Sequence, residues 1–225
     1  MGAESKIDIG IITAPRELPT LDYSVRSLRK FLPDCYLNIF AEPGRLEIEA
    51  YKMNILVNRE QLGALHNYNN ALNWILKYGK KPYIWITEDD YVYNSLLIRR
   101  LDEVLMHEGE FGYFNLFTNY WGPALPNPMA EGWTDLRLGY YDAWGMNYIF
   151  KRETAKRLVE SKTWKTYLET TKKNIDGAIS ETFKQMDLPM FFHNPSPSCT
   201  CGVISTLGHE SKTDGLHFKQ YENTN

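Results

Sequence analysis

The chain lacks the sequence features of a membrane-embedded or disulfide-stabilised protein. No stretch approaches the run of about 18 or more apolar residues that spans a bilayer, and the N-terminus has no apolar signal core. The three cysteines, Cys35, Cys199 and Cys201, cannot all pair, and the Cys-x-Cys spacing is too tight for an ordinary structural bridge. Four zinc ligands are not found near them. We therefore expect a cytoplasmic protein with reduced thiols.

Strong charge bias and the common nucleotide-loop signatures are also missing. A formal net charge of −3 does not fit a general polyanion binder, and 14% aromatic residues argue against disorder. The chain has neither a Gly-x-Gly-x-x-Gly fingerprint nor a Walker lysine loop, which disfavours a dehydrogenase or an ATPase. No repeat or linker divides the 225 residues, so we expect one α/β domain spanning 1–225.

Apolar runs alternate with helical patterns along the first half of the chain. They predict strands at 6–12, 35–41, 51–57, 83–87 and 111–117, and helices from Thr20, at 63–78, from Asn94 or Ser95 to Gly109, and at 177–186. A repeated strand, helix, strand order predicts a mostly parallel central sheet flanked by helices. The stretch 119–141, rich in proline, glycine and tryptophan, is predicted to be a long aromatic loop.

The strand at 83–87 runs directly into Glu88, Asp89 and Asp90. Ligands of parallel sheets bind beyond the carboxyl ends of the strands. Three adjacent carboxylates repel one another, and a hard divalent cation that bridges to a diphosphate would relieve the repulsion. The alternative is an acidic turn that caps the next helix.

Two further segments are expected at the same edge of the sheet. The loop after the first strand contains Thr13, Ala14 and Arg16, and Arg16 can pair with phosphate through its fork of donors. An ordinary strand-to-helix turn is the alternative. The helix before the acidic strand contains Asn67, Asn69 and Asn70, which are unfavourable in helices and therefore suggest a functional role.

These features resemble the glycosyltransferases of the GT-A fold, which use nucleotide sugars and carry an Asp-x-Asp type motif. The resemblance rests on the loop 13–16, on Glu88-Asp89-Asp90, on the segment 144–152 and on Asn174-Ile175-Asp176. The Glu-Asp-Asp spelling departs from strict Asp-x-Asp and is similar to the variant of some inverting N-acetylglucosaminyltransferases. The resemblance implies a single GT-A-like, Rossmann-like domain with a nucleotide-sugar-binding half (1–118) and an acceptor-side half (119–225).

The resemblance also implies roles for individual residues. Asp90 would hold Mn²⁺ or Mg²⁺, which stabilises the departing diphosphate, and Glu88 and Asp89 would orient ribose, sugar hydroxyls or metal-bound water. Thr13, Ala14, Arg16 and Asn67 would contact the donor. A C-terminal histidine often returns to the metal in the family, so His209 is a second expected ligand, with His193 next. A surface position for His209 and a structural role for His193 are the alternatives.

An inverting displacement needs a base that deprotonates the acceptor hydroxyl. The resemblance points to Asp176, for which a helix N-cap is the alternative interpretation. Glu181 and Asp142 are further candidates for the base.

The expected function is transfer of a sugar from a nucleoside-diphosphate sugar, most simply a uridine one, to a hydroxyl acceptor. A glycan or a small hydroxylated molecule is the expected acceptor. An excess of basic residues in 151–173 leaves a nucleic acid, including modified DNA bases, or a lipid-linked phosphate as alternatives. A stacking platform for the acceptor is expected from aromatic residues, with core packing as the alternative: Trp121, Trp133, Tyr140, Tyr141 and Trp144. A non-catalytic carbohydrate- or nucleotide-binding module and a nucleotidyltransferase are the rival functions.

Overall fold

The protein is an α/β structure built on one large sheet. The computed structural model describes residues 5–44, 46, 48, 51–118, 131–136, 145–170 and 174–201. The strands of the large sheet are β1 (Ile7–Thr13), β2 (Leu37–Ala41), β3 (Met53–Val57), β4 (Tyr83–Glu88), β6 (Tyr113–Asn115), β7 (Gly132–Asp135), β8 (Asn147–Lys151) and β9 (Met190–Asn194). Two short strands, β5 (Tyr91–Tyr93) and β10 (Ser198–Thr200), pair antiparallel with each other. The helices are α1 (Leu21–Phe31), α2 (Ala64–Tyr78), α3 (Leu97–Met106), α4 (Arg152–Glu160), α5 (Lys162–Glu169) and α6 (Ile175–Gln185).

The strand order in the large sheet is β3-β2-β1-β4-β8-β6-β9-β7. The strands β1 to β4 are mutually parallel, and β6 and β9 run in the same direction, as predicted for a mostly parallel sheet. The exceptions are β8, which pairs antiparallel with β4 and β6, and β7, which pairs antiparallel with β9. The sheet therefore takes strands from both 1–118 and 119–225.

Apolar side chains cover both faces of the sheet. On β4, Ile84 and Ile86 join a core cluster with α2, α4, α5 and α6, whereas Trp85 points to the opposite cluster with α1 and α3. This alternation is why an uninterrupted apolar run forms the strand. Gly10 on β1 lets α2 approach closely, because a Cβ atom there would lie 2.8 Å from Cδ1 of Ile75.

Several predicted boundaries were wrong in detail. The strand predicted at 111–117 is limited to β6, and the predicted loop 119–141 contains β7. The helix predicted from Asn94 or Ser95 begins only at Leu97; Asn94 instead accepts a hydrogen bond from the backbone N–H of Leu96 at 3.0 Å. Thr20 precedes α1 without a capping hydrogen bond from its side chain.

Two further features of the structure concern membrane crossing and disulfide bonds. Within the described ranges, no helix is long and apolar enough to cross a membrane. Cys35, Cys199 and Cys201 form no disulfide.

Candidate functional site

Buried polar side chains gather where β1, β2 and β4 end. These strands are adjacent and parallel, so their carboxyl ends meet at one edge of the sheet. Thr13 ends β1, Glu42 follows β2, and Glu88 to Asp90 lie at the end of β4. The residues predicted to bind the nucleotide-sugar donor are therefore brought together at this edge. Ala14, which is partly buried, lies between Thr13 and Arg16 on the loop after β1.

Asp89 ties the end of β4 to the loop after β1. Its carboxyl group, only 2% exposed, accepts hydrogen bonds from Oγ1 of Thr13 and from Nη2 of Arg16, both at 2.5 Å. Burial raises the pKa of Asp89 to about 6, although Arg16 and Thr13 act in the opposite direction. Both oxygens of Asp89 are thus engaged within the protein, so its position favours a role in holding the loop.

Arg16 supplies part of the positive charge that we expected a metal ion to provide. Its Nη1 also lies 3.3 Å from Oδ2 of Asp90. Burial lowers the pKa of Arg16, but the attraction of Asp89, Asp90 and Glu88 outweighs this effect and the net shift is upward. The guanidinium therefore stays charged. One guanidinium does not balance the carboxyl groups around it, and the site retains an excess of negative charge.

Asp90 contributes to this excess, whereas Glu88 resists ionisation. Oδ1 of Asp90 is buried and has no hydrogen-bond partner among the described residues. Burial raises the pKa of Glu88 well above its ordinary range, and the charges of Asp90, Asp176 and Asp89 add to this shift while Arg16 opposes it. These acids are therefore close enough to repel one another, and an added cation would relieve the repulsion.

Asp176 reaches this cluster from the first turn of α6. Its Oδ1 accepts a hydrogen bond from the hydroxyl of Tyr148 at 2.7 Å, and its Oδ2 accepts one from the backbone N–H of Gly145 at 3.2 Å. The N-cap of α6 is Asn174, whose side chain accepts from the N–H of Gly177 at 2.9 Å. The interpretation of Asp176 as the cap, and the predicted start of this helix at residue 177, were therefore wrong.

Gly145 is needed at this position for two reasons. Its φ of +100° is one that L side chains rarely adopt, and a Cβ atom would lie 2.3 Å from Cδ1 of Phe117 and 2.6 Å from the hydroxyl of Tyr91. The glycine lets its own N–H approach Asp176 while the hydroxyl of Tyr91 lies beside it.

Three buried tyrosines lie near the acids. They were not assigned to the site from the sequence. Tyr68, Tyr91 and Tyr148 are at most 1% exposed. Burial raises the pKa of each well above its ordinary value, and the carboxylate of Asp176 adds to the effect in all three. Their hydroxyls therefore remain protonated. Only the aromatic residues directly after the acidic triplet offered a signal; the others look like core residues in sequence.

Glu42 is another residue that the sequence did not reveal, because Glu42-Pro43-Gly44 is typical of a turn. Its side chain is 3% exposed, its Oε2 accepts a hydrogen bond from the N–H of Leu62 at 2.8 Å, and its backbone N–H donates to the carbonyl of Thr13 at 2.9 Å. Its Oε1 is buried without a partner in the part of the chain that the structure describes. A ligand at this edge of the sheet would find an acceptor there.

The asparagines of α2 are engaged mainly within the protein. Asn67, only 2% exposed, donates to the carbonyls of Phe40 and Thr13 and accepts from the side chain of Asn58. It therefore clamps the ends of β1 and β2. Asn69 accepts from the indole N–H of Trp164, and Asn70 donates to Asn58.

The fit of a metal ion depends on what completes its coordination. Among the described residues, no group of three or more His, Cys, Asp or Glu side chains is arranged to hold a metal. Magnesium-type sites usually take one or two protein carboxylates and complete the shell with waters and substrate phosphates. The unpartnered oxygen of Asp90 and the neighbouring Glu88 fit this kind of site.

The last strand among the described residues, β10, also ends beside Asp90. Pairing of β10 with β5 brings the backbone N–H of Cys201 to the carbonyl of Asp90 at 2.8 Å. Burial, followed by the charges of Asp90 and Asp89, raises the pKa of the Cys201 thiol to about 12. His209 follows eight positions later, and both it and Asp142 lie outside the described residues.

Other predicted residues lie elsewhere. His193 is on β9, three strands from β4, where its Nδ1 lies 2.8 Å from the carbonyl of Pro195 and its ring meets the edge of Trp133. Trp133 donates to Glu103 and packs within an aromatic cluster, as expected for core packing. The other four aromatic residues of the predicted platform lie outside the described ranges.

Glu181 and part of the basic excess also lie away from the acids. Glu181 accepts a hydrogen bond from Tyr167 in a groove between α5 and α6, and five helical residues put it about 140° around α6 from Asp176. Lys151 pairs in register with Tyr83 at the start of β4, the opposite end from Glu88. Arg152, next in sequence, is bound to Asp8.

A scan of protein-family models finds no match to this chain, and a search of curated proteins finds no significant relative.

Proposed function

We propose that the protein is a metal-dependent glycosyltransferase of the GT-A type that transfers a sugar from a uridine-diphosphate sugar to a hydroxyl acceptor. The observation that carries the proposal is the meeting of two acidic groups from distant parts of the chain. Asp90 and Glu88 lie at the carboxyl end of a central strand, and Asp176 on α6 is close enough to raise the pKa of Glu88. Such a transfer needs a cation site for the diphosphate and a carboxylate for the acceptor.

Glu42 and the loop after β1 support the proposal that the nucleotide of the sugar donor binds at this edge of the sheet. The uracil ring presents an N–H group, and the unpartnered Oε1 of Glu42 is an acceptor for it. A cytosine ring presents an acceptor at the same ring position, so this arrangement favours uridine. The hydrogen bond from Thr13 to Asp89 holds the loop in place beside Glu42.

Asp90, together with Glu88 and the predicted ligand His209, would hold Mn²⁺ or Mg²⁺. When bound, the metal would stabilise the negative charge that develops on the departing diphosphate. Asp176 would accept the proton of the acceptor hydroxyl. Its orientation is fixed by the hydrogen bonds from Tyr148 and Gly145.

A non-catalytic nucleotide- or carbohydrate-binding module is the second candidate. It is favoured by Arg16, which neutralises part of the acidic triplet without a metal. This module would bind its ligand equally well with and without divalent cations.

Thermal unfolding with UDP-glucose, UDP-galactose and UDP-N-acetylglucosamine, each with Mn²⁺ or with EDTA, separates the two functions. The glycosyltransferase predicts stabilisation that requires Mn²⁺, together with UDP release when acceptors are supplied. Stabilisation in EDTA without UDP release would favour the module. The absence of any shift at millimolar ligand would contradict both.

A further inference from the structure

Tyr68 is a buried tyrosine whose hydroxyl lacks a partner. It lies in the first turns of α2, is 0% exposed and packs against Trp164, with ring centroids 6.2 Å apart. Its hydroxyl forms no hydrogen bond to any residue that the structure describes. Buried polar groups in folded proteins nearly always have a partner, so an unsatisfied hydroxyl calls for an explanation.

Neighbouring buried tyrosines do not share this property. The hydroxyl of Tyr113 lies 3.1 Å from Oγ of Ser180, and that of Tyr148 binds Asp176. The lack of a partner therefore belongs to Tyr68 and is not common to the tyrosines of this core.

Tyr68 lies near the acidic cluster. It belongs to the same core cluster as Ile86 of β4 and as Tyr148, whose hydroxyl binds Asp176. After burial, the charges of Asp176 and Glu88 are the next largest causes that raise the pKa of Tyr68, yet its hydroxyl donates to neither. Asn67, the preceding residue, is clamped to the ends of β1 and β2, so this part of α2 is fixed relative to the site. A ligand hydroxyl that reached the phenol would satisfy it.

The chemistry of these groups selects the ligand. Carboxylates repel phosphate and accept protons from hydroxyl groups, whereas a phenol both donates and accepts. An alcohol can donate to Glu88 or Asp176 and accept from Tyr68 at the same time. A sugar ring presents several alcohols close together, and the proposed diphosphate position at Asp90 is two residues from Glu88.

We propose that the hydroxyl of Tyr68 contacts the transferred sugar and contributes to the selection of the donor by binding one of its ring hydroxyls. This inference rests on the proposed function, because it assigns the sugar end of the donor to the neighbourhood of Tyr68, Glu88 and Asp176.

The test compares Tyr68→Phe with Tyr113→Phe, each of which removes one buried hydroxyl and no other atom. Calorimetric titrations with Mn²⁺ measure the Kd of UDP and of the three UDP-sugars named above for each protein. Tyr68→Phe should leave the Kd of UDP within about twofold of the wild-type value and weaken the preferred UDP-sugar about 3- to 10-fold, as for one hydrogen bond. Tyr113→Phe should change neither.

Ligand-free stability provides an independent readout. Because the hydroxyl of Tyr68 is unpartnered, Tyr68→Phe should keep or raise the Tm, whereas Tyr113→Phe should lower it through the loss of its bond to Ser180. Donor analogues that each lack one ring hydroxyl identify the contact. The analogue without the contacted hydroxyl should bind wild type and Tyr68→Phe equally.

The outcomes separate this inference from the proposed function. If wild type prefers a UDP-sugar over UDP and Tyr68→Phe keeps the full preference, the inference is wrong while the proposed function stands. A fall in Tm for Tyr68→Phe as large as that for Tyr113→Phe would also overturn it, because the hydroxyl would then have a structural partner. If wild type binds neither UDP nor any UDP-sugar, the proposed function fails and this inference fails with it.

Discussion

The hydroxyl of Tyr148 donates to Oδ1 of Asp176 at 2.7 Å and so joins β8 to the first turn of α6. Tyr148 lies on β8, which is the only antiparallel neighbour of β4 in the described sheet. Asp176 lies on α6, which follows residues 171–173 in the chain. The bond holds the carboxylate of Asp176 near the end of β4, where its charge raises the pKa of Glu88. It therefore fixes a carboxylate of the acceptor-side half near the acidic triplet.

Asp176→Asn should keep the donor Kd nearly unchanged and lower the transfer rate about 10²- to 10⁴-fold, because it removes the general base. Rapid-quench measurement of single turnovers tests this. Asn174→Ala is the matched control: it removes the helix cap, should cost about 0.5 to 2 kcal/mol of stability, and should leave the rate of the folded enzyme intact. Normal turnover by Asp176→Asn would exclude it as the base.

Asp90→Asn should abolish metal-dependent donor binding without destabilising the ligand-free fold, because it removes one charge from a cluster of like charges. Calorimetry with Mn²⁺ and UDP measures the first effect, and urea denaturation the second. Asp102→Asn, on the exposed side of α3, serves as the control and should behave like wild type. Full activity of Asp90→Asn across a metal titration would contradict the assignment.

Arg16→Met should destabilise the protein by about 3 to 5 kcal/mol near pH 7, since it leaves the buried carboxylate of Asp89 without its counter-charge. The loss should shrink near pH 5, where an unpaired Asp89 takes up a proton more readily. Adding Asp89→Asn to Arg16→Met should recover part of the stability.

Urea denaturation measures these effects. The control Arg26→Ala removes an exposed ion pair with Asp22 and should lower the free energy of unfolding by less than about 1 kcal/mol. Equal losses for Arg16→Met and Arg26→Ala would mean that the Arg16 pair is not structurally important.

His193 should make the protein acid-sensitive. Burial lowers its pKa to about 4, from an ordinary value of about 6.5; the nearby charge of Arg100 acts in the same direction, while the backbone carbonyl of Pro195 and the carboxylates of Glu103 and Glu131 oppose it. Between these values the unfolded chain binds a proton that the folded protein excludes. The contribution of His193 to the free energy of unfolding should therefore fall as the pH falls from about 6.5 to about 4, and change no further below that range.

His193→Asn tests this, because the asparagine amide can replace Nδ1 as the donor to Pro195 but does not titrate. The difference in unfolding free energy between wild type and His193→Asn should change across this pH window. His66→Gln, on the exposed side of α2, should retain the wild-type pH dependence. A constant difference between wild type and His193→Asn from pH 4 to 8 would contradict the assignment.

Local patterns were enough to predict the elements that carry the site. Apolar runs predicted β1 and β4, helical spacing predicted α2, and the acidic triplet was expected at the carboxyl end of its strand. These features follow from the sequence because hydrophobic periodicity and strand-end chemistry act between residues close together in the chain. The same local reasoning predicted a mostly parallel sheet, since strands and helices alternate.

Only the tertiary structure decided how the acids are paired. Arg16 meets Asp89 across 73 positions of sequence, and Asp176 reaches the site because β8 and α6 pack against β4 and α2. Antiparallel insertion of β8 could not be read from periodicity, which is the same for either strand direction. The unpartnered atoms of Glu42 and Tyr68 are likewise invisible in sequence, because whether a buried polar group is satisfied depends on what long-range packing places beside it.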